Sequence, residues 1–403
     1  MTSPRQPPET DPAAREAIDT RLPANVLALG LVALFNDSAG DMIHPLLPAF
    51  VGAVGGGPQA LGLIEGIADA TSSLVQLGSG YLADRVGRLK AATTVGYAVA
   101  VVARPLLALA QTWWQILGVR FGDRIGKGIR SAPRDALLAD ATPIASRGRA
   151  YGFHRAMDNA GAMVGPAVAW LMLSGGLSMR EVFAWSAIPG LLTLAILQIM
   201  VADAAFGRFA HKESAGLPPS AAYRRLLVAI FVFTLGCSSD AFLLWRAAEL
   251  GIANSLAPIL WMVLSAVKAA TSTWGGALSD RAGRRKVIIA GWAVYAATYL
   301  GFAFANAGWQ VWLLFAVYGT FFGLTEGTEK ALVVDLVEPQ WRGRALGTYH
   351  AAVGIASLPA SVVFGVLYQA AGPMVAFSTG AGLAIIAITI LARQAQGDRA
   401  AQQ

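Results

Sequence analysis

Charge, cysteine and histidine are all scarce in this chain, and each scarcity closes off a class of protein. Only 14% of the 403 residues are charged, against about 25% in an ordinary soluble protein. Hydrophobic residues make up 55% and the mean hydropathy is +0.54. So few polar groups cannot cover a water-facing globule, and a bilayer is the solvent that suits such a chain. The single cysteine, Cys237, excludes an internal disulfide framework and a cysteine-based metal cluster. Four histidines offer little for a histidine site, and neither HExxH nor GxSxG occurs. "GDRIGKGI" lacks the spacing and the Ser/Thr of a phosphate-binding loop. An enzyme is therefore not expected, and no resident metal or cofactor is implied. No hydrophilic stretch is long enough for the output domain of a sensor.

Hydrophilic sequence is confined to three places. Residues 1–23, rich in Pro, Asp, Glu and Arg, carry no apolar core and read as a disordered tail rather than a signal peptide. Residues 204–225 read as a linker and 394–403 as a second tail. Between them lie twelve apolar runs, each near the ~20 residues that carry a helix across ~30 Å of hydrocarbon. Six fall in 24–203 and six in 226–393. The expected fold is all-α and integral to the membrane, with two six-helix bundles.

The basic excess has a side. Five alternate connectors hold sixteen of the 31 Lys and Arg, whereas the other set holds only Arg180. The positive-inside rule then puts both tails in the cytoplasm and makes this a multi-pass protein of the cell's plasma, or inner, membrane. Clustered in connectors, these charges meet lipid headgroups, and nucleic acid is not an expected partner.

Two phrases recur. "GYLADRVGRLK", Gly80 to Lys90, returns as "GALSDRAGRRK", Gly276 to Lys286, 196 residues later. "RGRAYG" from Arg147 returns as "RGRALG" from Arg342, 195 residues on, and Asp140 and Asp335 share that offset. The two bundles are thus repeats of like topology, the plan of a transporter whose halves rock about a central site. Each copy resembles the loop signature of the major facilitator superfamily, G-x-L-x-D-R-x-G-R. The first copy matches at Gly80, Asp84, Arg85, Gly87 and Arg88; the second matches at Gly276, Asp280, Arg281, Gly283 and Arg284. The resemblance covers about 24–393 and implies a twelve-helix secondary transporter, in which these loops latch the halves in one conformation. "GAMVGP" (Gly161, Gly165, Pro166) is similar to a fifth-helix motif of drug:proton antiporters, which tilts the expectation towards export.

Charges inside the runs point to the site, because an ionisable group at mid-bilayer costs a few kcal/mol and by default marks a pathway or relay. Asp37, Asp41 and His44 share one face of the first run. Asp41 is the first choice as proton carrier and Asp37 the second, with Asp69, Glu65 and Asp240 as further candidates. Arg120, Asp123, Arg124, Lys127, Arg130 and Arg134 form a stripe along the fourth run. Arg120 matches an intramembrane arginine that the family links to proton coupling. Arg120, Asp123, Arg124 and Lys127 of the stripe, with Lys268, Trp245 and Trp261, are expected to line a midplane cavity between the first, second, fourth, seventh and eighth runs. Arg104 is expected to snorkel to the outer surface, Arg155 and Asp158 to pair locally, and Glu329 to sit structurally at the inner mouth. The function expected is proton-coupled export of a small organic solute by a monomer, driven by the proton gradient. Alternatives are uptake of an organic anion and, more weakly, divalent-metal export through Asp41, His44, Cys237 and His350.

Overall fold

The computed structural model describes residues 22–86, 88–142, 147–203, 220–338 and 341–400. Helices account for nearly all of them, and no strand occurs among them. In chain order these are α1 (Ala24–Ala53), α2 (Pro58–Val86), α3 (Leu89–Leu109), α4 (Trp113–Asp140), α5 (Arg147–Ser174) and α6 (Met179–Met200). The second bundle holds α7 (Ala221–Glu249), α8 (Ala257–Ala282), α9 (Arg284–Phe304) and α10 (Gly308–Asp335), then the long helix Arg342–Ala400. Gly372, at φ 82°, breaks that helix into α11 (342–371) and α12 (373–400). Only a residue without Cβ takes that dihedral cheaply, and Pro373 begins the next helix with its φ already set.

Several helices run a turn or more past the apolar run that signals them, because an apolar run marks the hydrocarbon depth while backbone hydrogen bonding continues into the headgroups. The same holds at the far end of the chain. Helix α12 persists to Ala400, so most of the stretch expected as a tail from 394 is helical, as its Ala, Gln and Arg content favours. Residues 1–21, 204–219 and 401–403 lie outside the described residues.

The repeat is visible in small details. Gln115 Oε1 accepts the backbone N–H groups of Gln111 and Thr112 at the start of α4, at 2.6 and 3.2 Å. Gln310 does the same for Asn306 and Ala307 at the start of α10, at 2.8 and 3.1 Å. One glutamine per half thus satisfies orphan donors at a helix start. Within each half, packing follows one pattern: α1 on α5 and α6, α2 on α4, and α3 on α4 and α6, mirrored by α8 on α10, α9 on α10 and α7 on the long α11–α12 helix. Gly161 and Gly165 let α5 press onto the backbone of α1 at Leu34 and Ser38, the close approach that small residues permit.

The halves meet along two seams, α2 on α11 and α5 on α8. At the first, Gly62 and Gly365 face each other, and a Cβ on Gly62 would strike the carbonyl of Ser361. At the end away from the chain termini, Gly52 of α1 lies under Trp245 of α7, and Gln369 accepts the backbone N–H of Gln59 at 3.1 Å. Among the described residues, seven stretches are long and apolar enough to span a bilayer by composition, and they cover eight helices. The four that fall short are α2, α4, α5 and α10. These four carry most of the charge described next.

Candidate functional site

Two helices lose their regularity halfway, at matching places in the repeat. Helix α1 breaks at Met42–Ile43 and resumes through a 3-10 turn at His44–Leu46, where Pro45 disfavours helical geometry for the residue before it. Helix α7 breaks between Gly236 and Ala241. Broken spanning helices are where transporter sites are built.

Beside the α1 break lies a cavity of about 220 Å³, lined by Asp37, Asp41 and His44 of α1, Arg104 of α3, and Arg120, Asp123, Arg124, Lys127 and Arg130 of α4. All these residues belong to the first half. The sequence places the cavity between α1, α2, α4, α7 and α8; in the structure α3 contributes, and α2, α7 and α8 do not line it.

Part of this charge is closed on itself. Arg104, 7% exposed, donates from Nε to Asp123 at 3.1 Å and from Nη1 to the Asn36 carbonyl at 2.8 Å. Gly40 leaves room for that guanidinium, since a Cβ there would stand 3.3 Å from it. Arg120 donates to Glu65 Oε1 at 2.7 Å and approaches Asp123 at 3.8 Å. Glu65, 1% exposed, also accepts from Ser239 of α7 at 3.3 Å, a buried tie between the halves. Two arginines and two carboxylates thus form a neutral set. The expectation that Arg104 snorkels outward is overturned: Asp123, at similar depth on the neighbouring helix, holds it inside.

The rest is open. Arg124, Lys127 and Arg130 form no ion pair among the described residues. Arg130, 5% exposed, lies over the Tyr97 ring at 4.8 Å, and its Nη1 has no hydrogen-bond partner; nor has Arg124 Nε. Lys127 is exposed to solvent. Asp37 accepts from Asn36 Nδ2 at 2.7 Å. Neither Asp37 nor Asp41 forms an ion pair among the described residues.

The second half fills the equivalent space with rings. Tyr318 donates to Asp240 at 2.7 Å, Ser238 and Tyr299 share a hydrogen bond of 2.8 Å, and Tyr295 donates to the Gly236 carbonyl at 3.0 Å, so three tyrosines stitch the α7 break. Lys268 rests on the Phe322 ring at 3.7 Å. Trp261 meets His44 edge-on at 4.6 Å between ring centroids, and Trp245 donates to Glu249 at 3.0 Å. These two tryptophans pack the join between halves instead of lining the cavity. Glu329 is buried away from the mouth the sequence assigns it, accepting from Trp292 and Tyr349 at 2.9 Å each. Among the described residues no three His, Cys, Asp or Glu gather as metal ligands: His350 is exposed and Cys237 half-buried.

At the terminus end, Arg155 of α5 pairs with Glu326 of α10, which Lys330 also approaches at 3.6 Å, while Asp158 is taken by His154 at 3.4 Å. The local Arg155–Asp158 pair expected from sequence gives way to a link between halves. In the second signature copy, Arg284 pairs with Asp280 at 3.3 Å and with Asp335 of α10, tying three helices of its own half. In the first copy, Arg88 is exposed, Gly87 lies outside the described residues, and so do the side chains of Asp84 and Arg85.

The sequence model described as the Major Facilitator Superfamily matches residues 29–247 and 226–401. An uncharacterised MFS-type transporter of Methanocaldococcus jannaschii is 34% identical over 93% of this chain and 95% of its own length. A multidrug resistance protein, MdtG, of Enterobacter lignolyticus is 27% identical over 76% of this chain and 77% of its own. Among solved structures, the nucleoside transporter NupG superposes with a TM-score of 0.75 at 13% identity, over 92% of this chain and 98% of that one. That likeness is one of fold.

Proposed function

Because this chain belongs to the Major Facilitator Superfamily, we propose that it is a proton-coupled transporter of a small organic solute, working by alternating access with Asp41 and Asp37 as its proton-carrying pair. The observation that carries this reading is that two carboxylates one turn apart face one cavity inside the first half, and neither is committed to an ion pair among the described residues. Protonating such a group changes the electrostatic energy of the cavity by more than it would in water. It therefore shifts the balance between conformations that expose the cavity to different sides. The terminus end corresponds to the cytoplasm by the positive-inside asymmetry.

Two directions are open to such a carrier. Export is supported by the Enterobacter lignolyticus relative, which is named a multidrug resistance protein. Uptake of an organic anion is supported by the cavity lining, where five cations face three carboxylates. For the proton-carrying pair, the test is flux into or out of proteoliposomes under an imposed pH gradient. Asp41→Asn is expected to lower gradient-driven flux by about a hundredfold, a coupling free energy near 3 kcal/mol, while leaving solute exchange measurable. Gradient-driven flux at the wild-type rate in that variant would remove the assignment.

A further inference from the structure

The charge around the cavity balances only while its two free carboxylates are ionised. With Arg104, Arg120, Asp123 and Glu65 closed as a neutral set, Arg124, Lys127 and Arg130 remain on one wall and Asp37 and Asp41 on the other. The other titratable groups near this space are Asp69 of α2, which faces Arg124 and Lys127, Lys268 of α8 with Asp240 of α7, which carry opposite charges, His44 of α1, Arg134 of α4, already paired with Asp135 at 2.8 Å, and Asp158 of α5, held by His154. The space is therefore about neutral when Asp37 and Asp41 are ionised and carries about two positive charges when both are protonated.

Three cations along one helix face, at i, i+3 and i+6, repel one another. Arg130 is buried and Arg124 partly so, and charge left unneutralised there is costly. Arg130 and Arg124 also keep unpartnered nitrogens there, the condition a ligand's oxygens would satisfy. About 220 Å³ is room for roughly seven waters at ~30 Å³ each, enough for a compact, multiply charged headgroup.

We propose that Arg124, Lys127 and Arg130 form the binding site for a doubly charged anionic group of the solute, and that protonation of Asp37 and Asp41 tightens its binding. This rests on the proton-carrying pair proposed above and takes the uptake reading further. The carboxylates' negative charge offsets the field of the same three cations across the cavity, so neutralising the carboxylates strengthens the pull of the cations on the ligand. By reciprocity the anion then raises proton affinity as much as protons raise anion affinity. Bound together, anion and protons cross together, so an inward proton gradient drives uptake. An exchanger would need the opposite linkage, in which proton and solute exclude each other.

The experiment is calorimetric titration of the purified full-length protein in detergent with three probes of fixed charge: benzene-1,3-disulfonate, benzenesulfonate and benzyltrimethylammonium. None of them titrates between pH 6 and 8, so any pH dependence belongs to the protein. The disulfonate should bind at least tenfold tighter than the monosulfonate, and the cation should not bind. Its affinity should rise about tenfold from pH 8 to pH 6, with uptake of at least one proton per anion, read from titrations in two buffers of different ionisation heat. Lys127→Ala, at a solvent-exposed position, should weaken the disulfonate about tenfold, and Lys127→Arg should restore it. Cation preference, or disulfonate binding indifferent to Lys127→Ala, overturns the site. Tight binding without pH dependence or proton uptake overturns the linkage. The proton-carrying pair fails separately, through undiminished gradient-driven flux in Asp41→Asn.

Discussion

The two halves share a fold and a helix-packing pattern but dispose of buried polarity in opposite ways. At one set of matching positions the first half places Tyr97, Arg134 and His154, and 195 residues later the second places Trp292, Glu329 and Tyr349. In the second half the set is complete: two ring donors converge on one carboxylate. In the first, the Tyr97 hydroxyl and His154 Nε2 have no partner, and an arginine lies over the Tyr97 ring. Around these sets the second half stacks aromatic rings, Phe233 on Trp292 at 4.4 Å and Tyr295 on Tyr299 at 4.1 Å. Such ring pairs add about 0.5–1.5 kcal/mol each beyond the area they bury. One half is packed against itself and the other leaves charge facing a void. The repeat thus supplies a frame, and divergence within it separates a binding half from a bracing half.

Removing a cation from the first half breaks that comparison most severely. Arg104→Ala strips Asp123 of its 3.1 Å partner and leaves the Asn36 carbonyl without its donor. Breaking a buried pair from one side costs about 3–5 kcal/mol, so thermal unfolding in detergent should move sharply downward. Arg104→Lys should recover only part of the loss, since one ammonium cannot serve both acceptors in the geometry of a guanidinium. An unshifted melt in Arg104→Ala would mean that the polar network of the first half contributes little to its fold.

The matching perturbation in the second half should be mild. Glu329→Gln retains a carbonyl oxygen for one ring donor and sets an amide against the other, a loss of about 1–2 kcal/mol for one buried bond left unmade. The melt should fall by less than half the shift of Arg104→Ala. Equal shifts would dissolve the distinction between the halves, whereas a larger one for Glu329→Gln would reverse it.

How much of this was readable beforehand divides along physical lines. Helix number, the repeat and the charge asymmetry of the connectors follow from hydropathy and composition, which are averages over many residues, and all twelve helices stand where their apolar runs lie. The stripe from Arg120 to Arg130 and the pair Asp37 and Asp41 were legible as well, since 3.6-residue periodicity decides which side chains share a face. Partners were not. Asp123 with Arg104, Glu65 with Ser239, and Glu329 with Trp292 and Tyr349 join residues on different helices. Helix rotation and depth choose those partners, and sequence spacing along one helix carries no information about either. Trp245 and Trp261 show the same limit: an aromatic in a spanning helix serves equally as lining or packing until its neighbours are known.

The subtlest comparison is between two of the polar links that cross the halves. Glu65 and Ser239 meet in the buried middle, whereas Arg155 and Glu326 meet at the terminus end with side chains 59% and 37% exposed. An exposed pair contributes about 0–1 kcal/mol, so Arg155→Gln should leave the melting temperature within error. Its effect should lie on the separation of the halves instead. If the pair is made only when the terminus end is closed, losing up to ~0.8 kcal/mol shifts the open-to-closed ratio by at most about fourfold. Spin labels replacing Gly152 and Gly327, positions with open space beside them, would report that shift as a larger fraction of long distances. Raising salt should reproduce part of it in the wild type and none in the variant, because screening acts on the same interaction. A distance distribution indifferent to both changes would reduce Arg155 and Glu326 to a surface contact, and leave the Glu65–Ser239 bond and the glycine seam between α2 and α11 as the elements that set how the halves are held.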